Sequence, residues 1–249
     1  FEQHLPESGV VLRNISLERV GLQIAGPNAR KVLEQVTNID LSNAAFPFLG
    51  VREGEVGLCD AIVQRVSYTG ALGYEVYVDN SQQVALYMAL SEAGEAFGMR
   101  PFGMRAMMSL RLEKGFGSWL REFKPDYMPA ETGLDRFVHY DKSAEFIGKA
   151  AAIAERDQGA KRKLTTFVVD AVDSDVHGDE PIWKDGEIVG FVTSGGYAHW
   201  AEKSVAIGFM PVDMIAEGVA VEIEILGEKR GAVVFTDALY DADMKLLHG

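Results

Sequence analysis

The chain has 249 residues, 47% hydrophobic, 24% charged and 10% aromatic, with 24 Lys and Arg against 37 Asp and Glu for a net charge of −13. That composition is globular and excludes wholesale disorder, while the acidic balance excludes a generic phosphate-backbone binder, so nucleic acid is not an expected partner. One cysteine, Cys59, permits neither an internal disulfide nor a cysteine-cluster zinc site, and no apolar run reaches the roughly 18 residues that span a bilayer; the expectation is a soluble, cytoplasmic protein with no membrane partner.

Residues 10–24, VVLRNISLERVGLQI, are β-branched and alternate loosely, which predicts strand. Gly26-Pro27 breaks the pattern, and Asn28 is placed to N-cap a helix in ARKVLEQVT, where Val32, Leu33 and Val36 share a face. Residues 61–78 read as strand, tight turn and strand, with Gly70 and Gly73 supplying the backbone freedom of the turn. QQVALYMALSEAG predicts an amphipathic helix with Val84, Tyr87, Met88 and Ser91 on one face and Gly94 at its end. GMRAMMSLRLEKG, residues 103–115, predicts a second helix, apolar nearly all round yet carrying Arg105 and Arg111. The prolines of FKPDYMPAETG then predict a long loop.

Beyond about Ala160 the texture changes to short strands with Gly-rich turns. Asp185-Gly186 is a hairpin signal, and Val221, Ile223 and Ile225 alternate with Glu222 and Glu224. The fold class expected is α+β, with an α+β region over 1–156 followed by an all-β barrel or jelly-roll-like domain over 157–249, and a linker at Glu155–Lys163.

General chemical signatures are sparse in the chain. The five histidines (4, 139, 177, 199, 248) are scattered, so no metal site is expected, and GxSxG, phosphate-loop and dinucleotide fingerprints are absent. TSGGY, residues 193–197, reads as a flexible β-turn or as a backbone cradle for an anion. Between Arg100 and Lys124 stand six basic and two acidic residues, a +4 island that leaves −17 on the rest of the chain. It reads either as a solvated helix face or as a site for an anionic small molecule. The segment SYTGALGYE, residues 67–75, sets two aromatics and a carboxylate around a turn. A carboxylate there can accept two parallel N–H bonds from a planar amino-pyrimidinone, with an aromatic stacked on the ring; the plainer alternative is a tyrosine-decorated hairpin with Glu75 in solvent.

These motifs resemble a known family. YTGALGYE (68–75) is similar to the YTGExGxE segment of the folate-binding aminomethyltransferases, the T-protein of the glycine cleavage system. AGPNARKVL (25–33), SLRLEKG (109–115), FIGKAA (146–151) and GEIVGFVTSGGYAHWAEKSVAIGFM (186–210) resemble further collinear segments. DLSNAAFPF (40–48), PAETGLDRFV (129–138) and the LYD segment at 239–243 resemble the folate domain at the C-terminal end of dimethylglycine and sarcosine dehydrogenases and oxidases.

The resemblance implies an aminomethyltransferase-like folate-binding fold, closed by a C-terminal barrel, with tetrahydrofolate as cofactor. Carried over by position, Glu75 matches the glutamate that holds the pterin ring, Tyr68 a tyrosine lining it, and Trp119 an aromatic near the folate. The basic island becomes a candidate for steering the folate's glutamate tail. The implied reaction is capture of an amine-bound carbon by reduced folate to give 5,10-methylenetetrahydrofolate. The implied partners are folate, a small amine-derived one-carbon donor and an upstream flavin domain. The pattern is broken at Ala71, which replaces a glutamate, and at Met107, which replaces an arginine for which Arg105 is the nearest substitute. The family's catalytic aspartate falls upstream of the segment matching FEQHLPESG, so no catalytic residue is assigned and a piece of a longer enzyme, lacking its N-terminal part, is expected. Two other functions share the same folate site: a folate-dependent demethylase of another methyl donor, and a folate-binding module without transfer activity.

Overall fold

The computed structural model describes residues 1–249, which divide into two compact units. The first comprises 1–67, 71–101 and 246–249, and the second 68–70 and 102–245.

The first unit is built on a four-stranded antiparallel sheet in the order β1-β4-β3-β2, from β1 (Arg19–Ala25), β2 (Val51–Val56), β3 (Cys59–Gln64) and β4 (Gly73–Asp79). Period-two alternation decides its two faces. Tyr74, Val76 and Val78 of β4 line up with Ile24 of β1 and with Ala61 and Val63 of β3, and all are buried. Helices α1 (Ala29–Glu34) and α2 (Gln83–Glu95) contribute Val32, Leu33, Leu86 and Leu90 to that same core.

This unit departs from the sequence expectations at four places. Strand begins only at Arg19, and residues 10–18 are exposed and irregular, their alternation answered by no pairing strand. Asn28 precedes α1, but its side chain makes no cap; its backbone carbonyl accepts from Val32 N–H instead. The last β3–β4 pair is Gln64 with Glu75, so an open loop over 65–72 replaces the tight turn, and Gly70 (φ +81°) alone of its two glycines needs left-handed backbone. On α2 the face carrying Val84, Tyr87 and Met88 is exposed, because Leu86 and Leu90 take the core. That helix ends at Glu95 and is closed by the turn at Gly98 (φ +68°), where Met99 N–H bonds Gly94 C=O and Gly98 N–H bonds Glu95 C=O, a Schellman closure.

The second unit contains α3 (Met104–Glu113), α4 (Pro129–Thr132), α5 (Lys149–Gln158) and a closed six-stranded antiparallel barrel. Its strands are β5 (Arg162–Val169), β6 (Pro181–Lys184), β7 (Glu187–Ala198), β8 (Lys203–Pro211), β9 (Ala220–Ile225) and β10 (Glu228–Phe235), in the order β10-β5-β8-β7-β6-β9. Val221, Ile223 and Ile225 point inward with Phe167, Ile182, Val192 and Val234, and Glu222 points out, as the alternation requires. The expected linker is mostly structured: α5 runs to Gln158 and β5 starts at Arg162. The long loop after α3 contains α4, whose entry is fixed by Glu131 accepting from Met128 N–H.

TSGGY is neither turn nor cradle but mid-strand in β7, where Gly195 pairs with Ala206 and Gly196 with Val205. Its glycines supply room: a Cβ on Gly195 would lie 2.5 Å from the Val176 carbonyl, and one on Gly196 would meet Leu112 of α3 at 3.4 Å. The β6–β7 hairpin does turn at Asp185 (φ +51°) and Gly186 (φ +85°). Gly186 has open space around it, so only backbone conformation resists a side chain there. Gly186→Ala is therefore expected to cost about 1 kcal/mol in denaturant unfolding, and a cost above about 3 kcal/mol would contradict this. No helix is long and apolar enough to cross a membrane.

Candidate functional site

In the first unit Glu75 stands on the sheet face opposite the helices. The β4 register places Gln23 of β1 beside it on one side and Gln64 of β3 on the other. Two residues along β4, and so on the same face, Tyr77 donates its hydroxyl to Glu75 Oε2 at 2.5 Å. Glu75 makes no ion pair. It is a half-buried carboxylate flanked by carboxamides, with one oxygen held by a phenol and the other open to N–H donors. The hydrogen bond to Glu75, with burial, pushes the Tyr77 phenol up to about 12. Nearby, Gln23 Nε2 is buried and has no acceptor.

In the second unit Tyr68 is half-buried and its hydroxyl donates to the Gly117 carbonyl at 3.1 Å. Burial pushes that phenol up, against the Arg111 charge and together with that of Glu122. The backbone it grips is held from below. Arg111 donates to the Phe116 carbonyl at 2.9 Å, and Glu122 accepts from Ser118 N–H at 2.7 Å. Trp119 follows directly, 79% exposed and edge-on to Phe123 at 6.0 Å between ring centres. Arg105 is exposed near the start of α3 and makes no ion pair.

Glu122 is the centre of this support. Fully buried, it accepts from Thr193 Oγ1 (2.6 Å), Ser194 Oγ (2.5 Å), Ser118 N–H (2.7 Å) and Arg111 Nη1 (3.3 Å). Burial alone would push its carboxyl up; the Ser194 and Thr193 hydroxyls, the Ser118 amide and Arg111 together outweigh burial and hold it below the ordinary glutamate range.

The basic island thus divides. Arg111 is buried against Glu122, Lys114 is buried against Asp241 at 3.0 Å, and Arg121 pairs with Asp179 at 3.2 Å. Arg100, Arg105 and Lys124 remain outside any ion pair, so half of the segment's cations serve the fold. Sequence reasoning passed over Tyr77 and Glu122. The signal for Tyr77 was present, since i and i+2 on a strand share a face; none pointed to Glu122, whose hydroxyl partners lie 71 and 72 residues away.

Comparison with known proteins matches residues 1–142 to the family described as "GCVT N-terminal domain" and residues 162–241 to the "Glycine cleavage T-protein C-terminal barrel domain". The chain belongs to the glycine cleavage T-protein family. Human mitochondrial dimethylglycine dehydrogenase is 41% identical over 92% of this chain and 27% of its own length. An aminomethyltransferase of Caldanaerobacter subterraneus subsp. tengcongensis is 32% identical over 95% of this chain and 62% of its own. The crystal structure of the glycine cleavage system aminomethyltransferase T from Bartonella henselae superimposes with a TM-score of 0.79 at 26% identity, covering 90% of this chain and 60% of that one. The chain therefore spans about a quarter of the dehydrogenase and under two thirds of these T-proteins. The six-stranded barrel is the T-protein barrel, and the fold is α+β as expected.

Proposed function

We propose that the chain is the folate-binding part of a one-carbon transferase, in which tetrahydrofolate takes a carbon from an amine donor to give 5,10-methylenetetrahydrofolate. The observation that carries this reading is Glu75: a half-buried carboxylate with no cation, one oxygen open, on a segment that resembles the T-protein folate motif and lies within the residues matched to the family. The fit is chemical, because a 2-amino-4-oxo ring presents two adjacent N–H donors, one for the open Glu75 oxygen and one for the remaining lone pair of the oxygen that Tyr77 holds. When bound, tetrahydrofolate supplies the nucleophilic amine. The protein's share is to hold the ring at Glu75 and to keep water from a hydrolysable donor, while Tyr68 and Trp119 keep the roles that the motif resemblance alone gives them. Relatives named aminomethyltransferase and dimethylglycine dehydrogenase support an amine-bound carbon as the donor; an upstream flavin domain as partner rests on the motif resemblance alone. The lone, buried thiol of Cys59 is compatible with a cytoplasmic setting.

Titration with 5-formyltetrahydrofolate, on the protein at its natural length, tests the reading. Glu75→Ala is expected to weaken binding by about 1.5–3 kcal/mol, the worth of hydrogen bonds to a charged group. A wild type that binds no reduced folate would sink the proposal. A polyglutamylated folate is expected to bind tighter than the monoglutamate, with an advantage that shrinks with salt and with Arg105→Ala. Equal affinities at low salt would remove Arg105 from the site.

A further inference from the structure

Tyr77 stands beside the proposed folate anchor but belongs to no motif quoted for it. Its ring can reach Glu75 only by lying along the sheet, and the register shows what permits that. Tyr77 is paired with Gly21 of β1, and a Cβ on Gly21 would sit 2.7 Å from Tyr77 Cε1 and 3.0 Å from Cδ1. The glycine is thus a notch into which the phenol ring folds, and from that notch its hydroxyl meets Glu75 Oε2 at 2.5 Å. The other groups in the same row offer no substitute. Gln23 and Gln64 flank Glu75 across the ladder, yet neither donates to it. A glutamate with three free torsions loses rotamer entropy when a ligand fixes it, and a donor that fixes it beforehand removes that cost from binding.

We infer that Tyr77 is a positioning residue: its hydroxyl, seated over Gly21, locks one oxygen of Glu75 and leaves the other ready for the N–H edge of a planar heterocycle. The heterocycle being a pterin rests on the function proposed above, whereas the lock itself does not. The lock also restricts the ligand class, since an anionic edge would meet a carboxylate that no cation offsets.

The test is a double-mutant cycle on 5-formyltetrahydrofolate affinity, with Tyr77→Phe made in the wild type and in Glu75→Ala. Tyr77→Phe is expected to weaken binding about tenfold in the wild type and to have no effect once Glu75 is gone. Gly21→Ala, which evicts the ring, is expected to match Tyr77→Phe and to add nothing to it. An equal loss in both backgrounds would show that Tyr77 acts on the fold and not through Glu75, and no loss in either would also overturn the inference. If the wild type binds no reduced folate, the functional proposal fails while the lock is still decided by ultraviolet titration of the phenol, taken as the difference between wild type and Tyr77→Phe. A titration near 12 that returns toward the ordinary tyrosine value in Glu75→Gln supports it; one that stays put in Glu75→Gln refutes it.

Discussion

Glu122→Ala is expected to destabilise the second unit by about 3–5 kcal/mol, the cost of breaking a buried ion pair from one side. The carboxylate is fully buried and satisfied by four donors, so its loss removes more than one contact. Arg111, 2% exposed and already with an unsatisfied Nε, would keep its charge with no counter-charge in a dry place. Thr193 retains the Ile207 carbonyl as acceptor, which limits the damage at that position. Denaturant unfolding followed by circular dichroism measures the effect, and a cost under 1 kcal/mol would refute the central place given to Glu122. Acid gives a second reading of the same group. Its folded carboxyl titrates below the ordinary glutamate range, so the stabilisation is complete above that range and is lost as pH falls toward the folded value. Glu122→Gln should be less stable than wild type at neutral pH and should show a flatter decline on acidification.

The other large effect comes from adding one carbon atom. A Cβ on Gly190 would lie 2.0 Å from the Phe209 carbonyl oxygen, 3.1 Å from its carbon and 3.2 Å from Met210 Cα. All three are backbone atoms of β8, so no side chain can swing aside and the β7–β8 ladder itself must open. Overpacking commonly costs about 1–3 kcal/mol when side chains absorb it, and Gly190→Ala is expected to exceed that range. Gly231→Ala on β10 is the control. Nothing lies within 4 Å of its Cβ, and its backbone is not left-handed, so its effect should stay within about 0.5 kcal/mol. Similar midpoints for the two variants in thermal unfolding would mean that the close approach at Gly190 is relaxed at little cost.

What the sequence disclosed followed from local rules. Asp185-Gly186 turned where its dipeptide said it would, and the alternation over 221–225 fixed which side of β9 faces the barrel interior. What it hid depended on distant partners. TSGGY reads as a turn because paired glycines bend chains, but here they make room for a carbonyl and for Leu112 to come close. Val84, Tyr87 and Met88 keep helical spacing, yet the sheet under α2 is met by Leu86 and Leu90, one helical face round. A charge count over 100–124 cannot see that Lys114 ends against Asp241, 127 residues later. At the candidate site Glu75 came from motif resemblance, whereas Tyr77 needed the register with Gly21 to acquire a role.

The Glu122 knot has an evolutionary consequence. The three-residue connection between α5 and β5 resembles a natural joint for exchanging barrels among relatives. Yet the carboxylate before the joint is satisfied by hydroxyls after it, and Lys114 by an aspartate after it. A recombinant that swaps everything beyond Gly159 inherits those partners only if the incoming barrel carries Thr193, Ser194 and Asp241 or their equivalents. Chimaeras whose barrels lack these three side chains or their equivalents should therefore fail in folding before they fail in chemistry.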